Sequence, residues 1–246
     1  MHTKNERPGI HRGSTCNRVI HRSHAGGGLL VVLLGSILPL SGCGNPPGSD
    51  AAHKINGSVH VVAGRVAGTA ETVNGGIEVD ANATVTKAMT VNGSIRLGAH
   101  ATAESVKSVN GSITLDDGAR VAGTVETVNG ALALHSGAEV TGPVRNVSGR
   151  IEVSSAHVAG GIRTVAGDIS VLGSAHVEGG IVVQKSGNDL IRIGADVPRI
   201  VIGPGATVQG EMRFERPVRL YVSDKASIGA VSGATPEPFT GDSPPP

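Results

Sequence analysis

The sequence predicts an all-β, single-domain parallel β-helix, a solenoid of about 18 residues per three-sided coil with a right-handed wind favoured. Three observations carry that expectation. An aliphatic residue followed by Asn-Gly recurs at Ile55-Asn56-Gly57, Val73-Asn74-Gly75, Val91-Asn92-Gly93, Val109-Asn110-Gly111 and Val128-Asn129-Gly130, at intervals of 18 or 19 residues. Apolar residues come in pairs two apart: Ile95 and Leu97, Ala101 and Ala103, Ile113 and Leu115, Ala119 and Val121. The composition has 37 glycines in 246 residues, no Trp, two Phe and one Tyr, which suits a coil too narrow for rings.

Spacing two within a pair marks a strand with one face inward. Each pair starts six residues after the last, so three sides make one coil; Met89 and Val91 after Val85, and Ile181 and Val183 after Val177, extend the series. The 19-residue units place Val125 and Val128 three apart, which predicts a bulge or a longer corner on the third side. Asn-Gly between alternating apolar residues is also a hairpin signal. A meander would need a strong turn at both ends of every hairpin, and only one corner per unit carries Asn-Gly. The phrase decays to Val147-Ser148-Gly149 and Val165-Ala166-Gly167, which keeps the period beyond the refrain.

In chain order, residues 1–42 read as a secretory signal. Lys4, Arg7, Arg12, Arg18 and Arg22 precede an apolar run that opens at Leu29 and reaches Leu40, short for a membrane span. Leu40-Ser41-Gly42-Cys43 resembles the lipobox of bacterial lipoproteins, which implies that Cys43 is lipidated, with palmitate among its acyl chains, and becomes the first mature residue. Gly44, where Asp would signal inner-membrane retention in diderm bacteria, implies delivery to the outer membrane. Residues 43–52 are expected to be a flexible tether, 53–183 the regular repeats, 184–234 irregular C-terminal coils and cap, and 235–246 a disordered Pro-rich tail.

Processing shapes the chemistry. Cys16 lies in the removed segment and Cys43 carries lipid, which leaves no thiol for a disulfide or a nucleophile. Removing five basic residues and Glu6 from totals of 21 and 20 leaves 16 basic against 19 acidic, which argues against a nucleic-acid partner. If Val73 and its equivalents point inward, Thr72, Asn74, Thr90, Asn92, Ser108, Asn110, Thr127 and Asn129 form an outward polar ladder. Such a ladder is a binding stripe for glycan, surface or ice, or else a structural stack of turn-tolerant amides, and the structural reading is preferred. His157 and His176 occupy equivalent slots one coil apart and are the candidate metal ligands. The same slot elsewhere holds Thr84, Thr102, Arg120 and Glu139, an ordinary variable position, so no metal and no cofactor is expected. Asp116-Asp117 before Gly118 reads as a turn rather than a catalytic pair. No phosphate loop, nucleophile elbow or zinc motif occurs, and the chain is not expected to be an enzyme.

The six-residue strand step, the 18-residue coil and phrases such as Ala119-Arg120-Val121-Ala122-Gly123-Thr124-Val125 resemble the bactofilin group of polymer-forming β-helix proteins over about residues 55–183. With its signal and lipobox, the whole arrangement is more similar to envelope lipoproteins with bactofilin-like repeats. The resemblance implies a non-catalytic, lipid-anchored scaffold or adhesion protein of the bacterial envelope that self-assembles through its solenoid ends. The expected partners are the membrane, through the N-terminal lipid, a second copy of the chain, and envelope polysaccharide or protein. The alternatives are a carbohydrate-active β-helix enzyme and a glycan- or surface-binding module.

Overall fold

A computed structural model describes residues 51–185 and 197–244; the expected signal, Cys43 and most of the tether lie outside the described residues. The chain is an all-β parallel solenoid of about ten coils, with no helix among the described residues. One side is a ten-stranded sheet running from Val59–Val61 to Pro236–Phe239. Its rungs stack like on like: Ile77, Ile95, Ile113, Leu132, Ile151 and Ile169 are in register, as are Val79, Leu97, Leu115, Leu134, Val153 and Val171. All twelve are buried, and similar aliphatic shapes stack on one another in successive coils.

The other two sides belong to one 16-stranded sheet. In the early coils a single nine-residue strand turns the corner between them, as in Val66–Asn74, Thr84–Asn92 and Thr102–Asn110. From the next coil that strand divides into Arg120–Val121 and Val125–Asn129. The register places the cause: Thr102 pairs with Arg120, 18 residues on, whereas Val106 pairs with Val125, 19 residues on. The extra residue of the 19-residue units therefore sits in the corner Ala122-Gly123-Thr124. Of the two expected devices, a bulge or a longer corner, it is the corner.

The third side corrects the sequence reading. Its inward residues are Ala88 and Thr90, not Met89 and Val91. Two successive outward residues, Thr86 and Lys87, carry the strand around the corner from buried Val85 and flip the alternation by one. Inward pairs thus begin at Ile77, Ala83, Ala88 and Ile95, so the sides span six, five and seven residues rather than three sixes. Where the corner has gained a residue the six-residue step returns, and Val177 is followed inward by Ile181 and Val183 as expected.

The C-terminal coils depart from the 18-residue interval. Ile169 pairs with Ile200 across a 31-residue interval that contains the undescribed residues 186–196. The strand Ala52–Asn56 pairs with Val66–Asn74, so the solenoid starts within one residue of the expected boundary at 53, and one correction applies at the other end. Pro236–Phe239 pairs with Arg219–Ser223 inside the expected disordered tail. The tail holds because Phe239 is buried with Val201 and Tyr221 in a small cluster separate from the main core, with Leu172 packed against it. The Arg199 guanidinium lies 5.1 Å from the Tyr221 ring centroid, a cation–π contact beside that cluster.

Candidate functional site

The Asn-Gly corner is built by three interlocked rows. Thr72, Thr90, Ser108 and Thr127, expected on the surface, are buried. Their hydroxyls donate to glycine carbonyls: Thr72 to Gly57 (3.0 Å), Thr90 to Gly75 (2.9 Å), Ser108 to Gly93 (3.1 Å) and Thr127 to Gly111 (3.0 Å). Asn146 continues the row, its amide donating to Gly130 O and Gly149 O, both at 3.1 Å. A buried hydroxyl needs such a partner, because an unpaired one costs about 1–3 kcal/mol. The correction follows from the corner described above: the flipped alternation turns the Thr inward and leaves Val73, Val91, Val109 and Val128 half-buried on the outer side.

Outside this row the asparagines do form a ladder. Asn74 donates to Asn56 (3.0 Å), Asn92 to Asn74 (2.9 Å), Asn110 to Asn92 (3.0 Å) and Asn129 to Asn110 (3.1 Å). Each internal amide spends one N–H and one lone pair on its neighbours, which is a structural use. Glycine completes the corner by close approach: a Cβ added to Gly93 would collide with the Gly75 carbonyl, and one added to Gly111 with that of Gly93.

The first coil is one of two terminal coils. Ala52–Asn56 and Val59–Val61 pair on one side only, as Ser227–Ile228, Val231–Ser232 and Pro236–Phe239 do at the other end. Three large apolar residues of this coil stand in solvent: Ile55 (70% exposed), Val62 (56%) and Val66 (67%). Val66 is in register with Thr84, so a slot that is polar in the next coils is apolar here. A shallow cavity of about 170 Å³, lined by Ala52, Val59, Val61, Val62, Val66 and Ala70, opens at this end. His60, on its wall, contacts Asp80 of the next coil at 2.9 Å, and His53 of the same first coil contacts Glu71 at 3.1 Å. The Asp80 carboxylate accepts a hydrogen bond from His60 and adds its charge, which raises the His60 pKa above its ordinary value.

The histidine pair is brought together. His157 and His176 are directly in register, with ring centroids 5.5 Å apart and planes tilted by 45°. The structure adds Glu178, whose Oε1 lies 2.9 Å from His157 Nε2. Parity could have found it, since Glu178 follows His176 by two residues and shares its face. The Asp116 side chain is taken by Arg96 at 2.8 Å, and the Asp117 carbonyl accepts from the His100 backbone N–H, as befits a corner. A second, more open hollow of about 460 Å³ lies near the C-terminal end, with Arg150, Asp168, Arg199 and Asp242 on its wall. Comparison with family models, with curated proteins and with solved structures gave no match to this chain.

Proposed function

We propose that this chain is a non-catalytic scaffold of a bacterial envelope, a bactofilin-like rod lipid-anchored through Cys43 and paired with a second copy through its first coil. The observation that carries the reading is the unpaired first coil with Ile55, Val62 and Val66 exposed on it. An open strand edge is a template for another chain, and apolar side chains around it supply the driving force. Two first coils meeting about a two-fold axis wind in opposite senses, so their edge strands approach antiparallel, a pairing that backbone hydrogen bonds accept. The interlocked amides and the coil-to-coil ion pairs support a structural use of the regular surface.

Cys43 lies nine residues before Ala52. At roughly 3.3–3.6 Å per extended residue that reach is about 30 Å, enough to hold the junction clear of a bilayer. Labelled palmitate is expected on the wild-type chain and absent from Cys43→Ser; label retained in that variant would overturn the anchoring. An Ile55→Cys chain in the oxidising envelope is expected to form a disulfide-linked dimer. Failure to cross-link, with the lipid still attached, would overturn the pairing alone.

A further inference from the structure

We infer that His157, His176 and Glu178 form a surface site for a late first-row divalent transition metal, of the Zn²⁺, Co²⁺, Ni²⁺ or Cu²⁺ class. The donor set is two imidazoles and a carboxylate whose ligand atoms all lie within 4.8 Å of one another. That chemistry favours borderline metals over Mg²⁺ or Ca²⁺, which take oxygen ligands throughout. In a tetrahedral site with metal–ligand distances of about 2.0–2.2 Å the ligand atoms sit roughly 3.3–3.6 Å apart, a shift that side-chain rotation supplies.

The scaffold holds the three residues in place. His157 and His176 are adjacent rungs of one parallel sheet, and Glu178 reaches His157 along the diagonal. Their amides are fixed by backbone bonds: His157 to Ala138 O (2.8 Å), His176 to Ala156 O (2.9 Å) and Glu178 to Val158 O (3.0 Å). Ala159 stands opposite Glu178 and has no side chain long enough to compete for the diagonal. Glu139, in register with His157 on the preceding coil, is paired with Arg120 at 3.3 Å, so the third donor is Glu178. Ligands on regular strands with fixed backbones lose little freedom on binding, and three protein donors leave positions for water or for a donor from another molecule. The His157–Glu178 hydrogen bond is the metal-free form of the site: on binding, His157 keeps its ring proton on Nδ1 as the neutral tautomer, and the metal takes the place between Nε2 and the Glu178 carboxylate.

The site is distinct from the first coil and does not rest on the pairing proposed there. Its test is NMR of the full chain in detergent, with histidine ring resonances assigned and Zn²⁺, then Cu²⁺, added. Zn²⁺ is expected to shift the His157 and His176 rings together with one-site saturation, and substoichiometric Cu²⁺ to broaden them before those of His100 and His135. Glu178→Gln is expected to weaken binding roughly tenfold or more. Exposed positions tolerate these changes, and unchanged methyl resonances of Ile95 and Ile151 report that the solenoid is intact. Rings that do not respond, a response confined to other histidines, or affinity unchanged in Glu178→Gln would each overturn the site.

Discussion

The two ends of the solenoid close their sheets in opposite ways. At the far end Pro236–Phe239 forms the last rung of the ten-stranded sheet. Its two prolines remove two amide donors from that edge, and Phe239 turns to a cluster with Tyr221 and Val201. At the near end Val59–Val61 and Ala52–Asn56 carry no proline and leave Ile55, Val62 and Val66 in solvent. Stacking parallel coils creates an edge at both ends; in the ten-stranded sheet only the far edge carries prolines that blunt it. The lesson is that the two ends are unlike, and that the end with exposed apolar residues is the N-terminal coil.

Substitutions along the rod separate a closed interior from the open first coil. The largest effect is expected from Gly93→Val, because the new Cβ meets the Gly75 carbonyl and backbone atoms cannot yield. The predicted loss is about 4 kcal/mol or more, read as failure to give a cooperative melt. Gly64→Ala, in the first coil, meets nothing within 4 Å and carries only the strain of a φ of +69°, about 1 kcal/mol. Equal losses at the two positions would mean that the first coil is as tightly stacked as the middle.

Next in size is Leu97→Ala, a fully buried rung, with an expected loss of about 2–5 kcal/mol in denaturant melts. Ile55→Ser at the edge is expected to change monomer stability by no more than about 0.5 kcal/mol. Thr90→Val leaves the Gly75 carbonyl short of a donor and is expected to cost about 1–2 kcal/mol, with Asn92→Ala below that because its amide is exposed. The reverse order would make the outer amides, not the buried hydroxyls, the clamp of the corner.

The smallest effect is a pH dependence confined to the first coil. Because the folded-state pKa of His60 is raised by Asp80, its contribution is present below the unfolded value of 6.5 and is lost as pH rises through the raised folded value. Amide exchange in Val59–Val61 is therefore expected to be better protected near pH 6 than near pH 8 once intrinsic exchange rates are corrected. The difference should disappear in Asp80→Asn; protection independent of pH in the wild type would exclude the pair as a clasp.

Much of this architecture is legible in the residues because a solenoid writes its period directly. The refrain ending Asn56-Gly57, Asn74-Gly75 and Asn92-Gly93 set the coil length, and Ile95 with Leu97 set one side correctly. The third side was misread because Met89 and Val91 are more apolar than Ala88 and Thr90, while the decision lay in how many residues turn the corner at Thr86 and Lys87. A hydrophobic pattern cannot register a buried Thr whose hydroxyl is paid by a glycine carbonyl one coil away. Phe239 was assigned to a tail because its strand reads Pro-Glu-Pro-Phe, a composition that local propensity places outside any sheet. Glu178 is placed on the His176 face by parity, while its contact to His157 runs between coils and is not written in local spacing.

Sedimentation equilibrium of the chain beginning at Cys43, wild type against Val62→Glu, tests the open-end account most directly. The account predicts a single monomer–dimer equilibrium for the wild type, a monomer at all concentrations for Val62→Glu, and a dimer that survives Pro238→Ala. A wild-type monomer throughout, a dimer indifferent to Val62→Glu, or growth without limit into filaments would contradict it.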